Sequence, residues 1–233
     1  PDLAVRPPVT PEPTPTAIVV ADPGPFATRG PQPAILAAGI ELARAARQSD
    51  LRVRLGCGDQ YGRTLGVACP GLIDAPPEPE GVLQDLLECK QVVILCHGSV
   101  VDVDAAALSL LDRSGAPALL ELRRISELPH RLAGSTIVLL ACQAGSAGPW
   151  IHRAGGFPGM LLACGARRVI APLWPVFCDA AEQVGHAALR EFGADGCLPT
   201  ALMQLVDSTR VDATDPRRWS RFHSLRAFVV WDG

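Results

Sequence analysis

What most constrains this chain is the rhythm of its apolar runs. Strand-sized blocks recur along it: Ala17–Asp22 (AIVVAD), Leu51–Leu55, Gln91–Cys96 (QVVILC), Thr136–Ala141 (TIVLLA), Arg168–Ala171 and Ser224–Trp231. The VVIL and IVLL blocks are apolar at consecutive positions, the pattern of strands buried on both faces. Between the blocks the pattern turns helical. Helices are expected over Ala34–Gln48 behind Pro33, Val82–Cys89, Leu122–Leu132, Phe157–Cys164 stopped by Gly165, Asp179–Phe192 and Thr200–Val206. Strands alternating with helices imply parallel βαβ units and a doubly wound α/β sheet. Ala107–Leu111 and Pro117–Glu121 flank Asp112-Arg113-Ser114-Gly115, which reads as a hairpin turn. The stretch 56–81 is rich in Gly and Pro and reads mostly as loop.

At 233 residues the chain suits one domain with a sizeable core, assigned here to 17–233. Residues 1–16 hold six Pro and form a Pro/Thr-rich linker, expected to tether the domain to an upstream module. A net charge of −3 argues against a chain built to bind nucleic acid or anionic lipid. No apolar run reaches the roughly 18 residues of a membrane span, and the N-terminus carries no apolar stretch fit for a secretion signal. The first residue is not Met, so the chain is expected to be part of a longer one. The eight cysteines include no CxxC pair, which argues against a zinc ribbon or a thioredoxin-like site. Several lie in apolar runs as small hydrophobes, and a core of this size needs no staples. The thiols are therefore read as reduced and the compartment as cytoplasmic. One Lys among 21 basic residues, with abundant Ala, Gly and Pro, fits a GC-rich bacterial genome.

Cofactor motifs are missing. Gly56, Gly58 and Gly62 follow a strand, but their spacing is GxGxxxG and no helix pattern follows to hold a pyrophosphate. There is no GxxxxGK[ST] loop, no GxSxG elbow and no HExxH. No cofactor and no metal are expected.

The informative constellation is a pair of strand ends. VVILC runs into His97-Gly98, and TIVLLA runs into Cys142-Gln143-Ala144-Gly145. In open α/β sheets, ligands gather beyond the carboxyl ends of the strands. Two adjacent strands would set His97 and Cys142 on one edge, about one strand spacing apart. That suits a thiol nucleophile and its base, because a free thiol near pKa 8.5 is only slightly ionised at neutral pH. The imidazole takes the proton and later delivers it to a leaving amine. Gly98 lets backbone approach a substrate, so the Gly98 and Cys142 amides are expected to face an oxyanion. Pattern alone leaves another reading open, with Cys142 one more buried small hydrophobe and His97 a strand-end histidine. Cys96 should point to the opposite face from His97. Cys164 and Cys178 are competing thiols. His130, His152, His186 and His223 read as surface or packing residues.

The order ILCHG, LLACQAG, GGFPGMLLACGARRVIAPLWPV and RFHSLRAFVVWDG resembles the CHAT domain, a family of caspase-like cysteine peptidases, over roughly residues 17–232. The resemblance implies a caspase-like three-layer α/β fold, with a mostly parallel sheet of about six strands and helices on both faces. It implies an acyl-enzyme mechanism on peptide substrates, with His97 as base, Cys142 as nucleophile and Gly98 on the oxyanion side. Trp174 matches the family's tryptophan bordering the substrate groove. The chain departs from the family pattern at Leu140, at Gln143-Ala144 and at Phe177-Cys178, and these changes leave the S1 pocket open. Asp102, Gln143, Trp174 and Asp179 are the candidate substrate-binding residues. An S1 pocket lined by Asp102, Asp104 or Asp179 would take a basic P1 residue, and one without them a neutral residue such as Leu or Asn.

By the same resemblance, the expected function is a cysteine endopeptidase acting on a protein substrate, a pore-forming or regulatory protein among the options, in a regulated bacterial defence or signalling pathway. An upstream sensor would regulate it, and the isolated chain would have low basal activity. The rivals are a catalytically silent caspase-like scaffold and a non-peptidase thiol hydrolase.

Overall fold

The computed structural model describes residues 15–22, 34–46, 52–57, 76–100, 106–128, 132, 134–142, 156–192, 197–209 and 216–233. Its strands are β1 (Thr16–Asp22), β2 (Arg52–Cys57), β3 (Gln91–Val100), β4 (Ala106–Leu111), β5 (Pro117–Glu121), β6 (Thr136–Ala141), β7 (Arg168–Pro172) and β8 (Phe228–Asp232). Its helices are α1 (Ala34–Ala46), α2 (Pro79–Glu88), α3 (Leu122–Ser126), α4 (Gly156–Ala163), α5 (Cys178–Phe192), α6 (Leu198–Ser208) and α7 (Pro216–Leu225). The main sheet runs β2-β1-β3-β6-β7-β8. Its pairs are parallel except the last, where β8 returns antiparallel to β7.

The consecutive apolar runs make sense once the two faces are separated. Alternate residues feed two different cores, so a central strand has no polar face to spare. On one face Val19, Ile94, Leu139 and Val169 pack with Leu86 of α2, Ile125 of α3, Phe157 of α4 and the β4–β5 hairpin. On the other, Val20, Leu95, Leu140 and Ile170 pack with Leu42 of α1, Val184 of α5 and Leu202 of α6. Helices thus cover both sides, as expected of the three-layer arrangement. Asp85 of α2 is fully buried and bonds the guanidinium of Arg54, while Arg52 reaches it at 2.8 Å. That ionic cluster fastens α2 to the edge strand β2.

Three expectations about elements need correction. The strand expected to stop at Cys96 continues to Val100. It does so because it changes partner: Gln91–Cys96 lies between β1 and β6, and His97–Val100 pairs antiparallel with β4. The amphipathic segment from Leu122 forms only one helical turn and ends at Ser126. The final strand begins at Phe228, because Ser224 and Leu225 belong to α7, a helix absent from the expected elements. The hairpin is as read. The Asp112 carboxylate accepts bonds from Ser114 and the Ala116 amide, and β4 and β5 pair in register from Ala107–Glu121 to Leu111–Pro117. Gly165 ends α4 at φ +99°, a left-handed position that suits glycine.

Candidate active site

The site follows from strand register. Val20 of β1 pairs with Leu95 of β3, and Leu95 pairs with Leu140 of β6. All three side chains enter the same core. Side chains alternate with period two, so two residues further on each chain returns to that face. Those positions hold Asp22, His97 and Cys142. A carboxylate, an imidazole and a thiol therefore form one row across three adjacent strands, at their carboxyl ends. Cys96, one residue before His97, is buried in the opposite core as expected.

Contacts agree with the register. His97 Nε2 lies 3.8 Å from Asp22 Oδ1, with the Asp22 side chain only 2% exposed and that of His97 36% exposed. At that separation the nitrogen and the carboxylate attract without forming a hydrogen bond. Nε2 has no hydrogen-bond partner, although the atom itself is buried. Gly98 lies against the turn that follows β6. A β-carbon there would run into the carbonyl oxygen of Cys142. Only glycine lets the two strand ends meet so closely.

The Cys142 thiol is half-buried and donates to the Val176 carbonyl at 3.8 Å. Val176 belongs to Leu173–Phe177, the segment between β7 and α5. Both ends of that segment are held: the Leu173 amide donates to Ala227 O at 3.0 Å, and the Phe177 amide donates to Ser224 Oγ at 3.3 Å. α7 and the turn that leads into β8 thus seat the segment over the thiol.

Trp174 sits in this segment, its ring 5.3 Å from that of His223. Its indole Nε1 is buried without a hydrogen-bond partner. Asp179, at the start of α5, faces Arg221 at 3.7 Å and bonds the Ala180 amide. Asp102, Asp104 and Gln143 lie outside the described residues, as do His130 and His152. His186 is on α5, 3.6 Å from Glu182, and His223 is on α7. Neither stands in the row.

The other described thiols differ in kind. Burial pushes Cys96, Cys89 and Cys164 up, and takes Cys178 up to about 11. Cys197 is exposed and held below the ordinary thiol value by hydrogen bonds from the Thr200 side chain and backbone. Among the described residues no group of three or more His, Cys, Asp or Glu side chains could hold a metal ion, and no helix is long and apolar enough to cross a membrane.

Asp22 is the residue that sequence reasoning missed. Its signal was present, since AIVVAD also ends an apolar run on a polar side chain. What no single segment discloses is that this end lies beside His97.

The fold and site can be compared with known proteins. The family model of the CHAT domain matches residues 32–227. No curated protein matches. Among solved structures, the complex of Porphyromonas gingivalis RgpB pro- and mature domains superposes with a TM-score of 0.54 at 10% identity, covering 94% of this chain and 47% of that one. This chain thus spans about half the length of the RgpB chain. The Drosophila initiator caspase Dronc gives a TM-score of 0.36 at 11% identity over 83% of this chain and 71% of its own. A Streptomyces aurantiacus imine reductase gives 0.31 at 17% over 83% and 60%. Neither of these two lower scores carries weight for the fold. With the family model spanning most of its length and an α/β fold similar to that of the RgpB structure, the chain belongs to the CHAT domain family.

Proposed function

We propose that the chain is a cysteine endopeptidase that works through Cys142 and His97, with Asp22 as the residue that positions the imidazole. The observation that carries this reading is the row of carboxylate, imidazole and thiol on adjacent strand ends, with Asp22 Oδ1 3.8 Å from His97 Nε2. Asp22 favours the tautomer with the proton on Nε2, which leaves Nδ1 as the acceptor for the thiol proton. Cys142 sulfur then attacks the scissile carbonyl. The amides of Gly98 and Cys142 hold the oxyanion, a contribution on the order of 3 kcal/mol per donor. Imidazolium returns the proton to the leaving amine, a thioester remains on Cys142, and water attacks it with His97 again as base.

The open Asp22–His97 gap supports low basal activity for the isolated chain. Closing it by about 1 Å, on binding substrate or a regulator, completes the hydrogen bond. The substrate in this reading is a protein, such as a pore-forming or regulatory one, cleaved in a bacterial defence or signalling pathway in the cytoplasm. An upstream sensor supplies the trigger. Trp174 borders the groove. Asp179 already faces Arg221, so a basic P1 preference would rest on Asp102 or Asp104, and Gln143 flanks the nucleophile.

The test is a peptide library with Cys142→Ala and His97→Ala as controls. Cleavage by the parent, lost in both variants, is the expected result. A peptide carrying a thiol-reactive warhead should modify Cys142 alone. Turnover that survives in Cys142→Ala would end this reading.

A further inference from the structure

We propose that Cys178 is the resolving thiol of a reversible oxidation site, closing a Cys142–Cys178 disulfide when a hydroperoxide oxidises Cys142. The effect on cleavage rests on the Cys142 reading above; the bond itself does not. Cys178 is one of the positions at which the chain departs from the CHAT pattern, so the site belongs to this chain rather than to the family.

The two thiols meet through the segment Leu173–Phe177. Cys142 Sγ touches the Val176 carbonyl oxygen at 3.8 Å, and Cys178 follows two residues later as the first residue of α5. Two residues span at most about 7 Å, and here the chain is already turning. The Phe177 carbonyl accepts from the Ala180 and Ala181 amides, which starts the helix and folds Cys178 back. Val176 and Cys178 pack against the core that the row of Asp22, His97 and Cys142 adjoins, and both thiols are half-buried. After burial, the charges that weigh most on Cys178 are those of Cys142 and then Asp22, so its sulfur adjoins the row. Cys96 also feels Cys142, but its side chain enters the opposite core and is turned away from this encounter.

The chemistry needs one oxidant and one reductant. Hydrogen peroxide takes an electron pair from the Cys142 sulfur. An S–O bond forms, the O–O bond breaks, and the Cys142 proton leaves with the departing hydroxide as water. The Cys178 sulfur then attacks the sulfenic acid. The S–S bond forms, the S–O bond breaks, and hydroxide leaves with the Cys178 proton as a second water. A dithiol returns two electrons and two protons and becomes a disulfide itself. Burial keeps Cys178 protonated and inert toward solutes, so the oxidant meets Cys142 first. A thiol at about 11 is roughly 10⁻⁴ thiolate at neutral pH, but positioned groups reach effective molarities of about 10⁵ M or more. Proximity therefore outweighs the small thiolate fraction once the sulfur beside it is electrophilic. The bond silences the nucleophile and shields it from irreversible oxidation to the sulfinic acid.

The experiment treats the whole chain with excess hydrogen peroxide, blocks free thiols with iodoacetamide in denaturant, and maps unreduced peptides by mass spectrometry. The parent should yield the Cys142 and Cys178 peptides joined to each other. Its peptide cleavage should fall as the link accumulates and return with dithiothreitol. Cys178→Ala should match the parent before oxidation. After peroxide it should carry Cys142 as sulfinic or sulfonic acid and lose the recovery with dithiothreitol. Circular dichroism checks its fold, and should it fail to fold, the parent map decides alone. A treated parent with Cys142 joined to Cys96 or to no cysteine, or a folded Cys178→Ala that recovers as the parent does, would overturn the proposal. Because the bond is read by mass, a chain that forms it yet cleaves no peptide defeats the endopeptidase reading and upholds the oxidation site. A chain that cleaves peptides but never forms the bond does the reverse.

Discussion

The chemistry of each thiol here is set by what lies within a few ångströms of it. Cys178 is half-buried and pushed up to about 11, so it stays protonated and unreactive at neutral pH. Cys197 stands at the N-terminal boundary of α6 and is exposed, and Thr200 stabilises its thiolate. Thiolate fraction rises with pH through the pKa, and a lowered pKa moves that rise toward acid. Alkylation of Cys197 by iodoacetamide should therefore persist to lower pH than for a free thiol. Thr200→Ala should move the profile back toward alkaline, as read by mass spectrometry of the labelled peptide. The Asp22 carboxylate acts through His97 and touches no substrate in the proposed mechanism. Asp22→Asn should accordingly lower kcat by about 10- to 100-fold and leave KM nearly unchanged. A rise in KM at constant kcat would mark Asp22 as a substrate-binding residue instead.

Among the elements, β3 decides the site. Its first six residues lie between β1 and β6, and its last four form a separate antiparallel pair with β4. The change of partner falls at His97. Backbone pairing on both sides of the imidazole holds it more firmly than a free strand end would. Gly98 lets this junction close against the turn at Cys142. Gly98→Ala would force the two strand ends apart, because the obstacle is backbone and has no rotamer to escape into. A displacement near 1 Å at the reacting groups should cost about 100-fold in kcat/KM, with the far-ultraviolet circular dichroism unchanged. Parental activity in this variant would mean that the ends can separate without consequence.

For the whole molecule, one sheet serves two cores that share no helix. Phe157 of α4 and Leu42 of α1 are both essentially inaccessible, one in each core. Phe157→Ala should cost about 3–5 kcal/mol and Leu42→Ala about 2–5 kcal/mol. The two losses should add in the double variant, since the residues have the sheet between them and no common cavity to collapse. Urea unfolding reads all three. A double variant much less destabilised than the sum would show that the layers relax together.

The order of elements, the burial of VVIL and IVLL and the chemical endings at His97 and Cys142 were all legible in the sequence, because each depends on residues near one another in the chain. Even the opposite facing of Cys96 follows from local alternation. The helix α7 escaped because PRRWSRFHSL is polar on average and charged at its start, although Trp219, Phe222 and Leu225 recur at helical spacing. Asp22 as a neighbour of His97, the partner change within β3 and the closure of Leu173–Phe177 over the thiol were decided only by the tertiary structure. The reason is register. Which residues stand abreast depends on how distant segments slide past one another, and a slip of one residue sends every side chain to the other face. The segments carry the chemistry, and their pairing determines which groups meet.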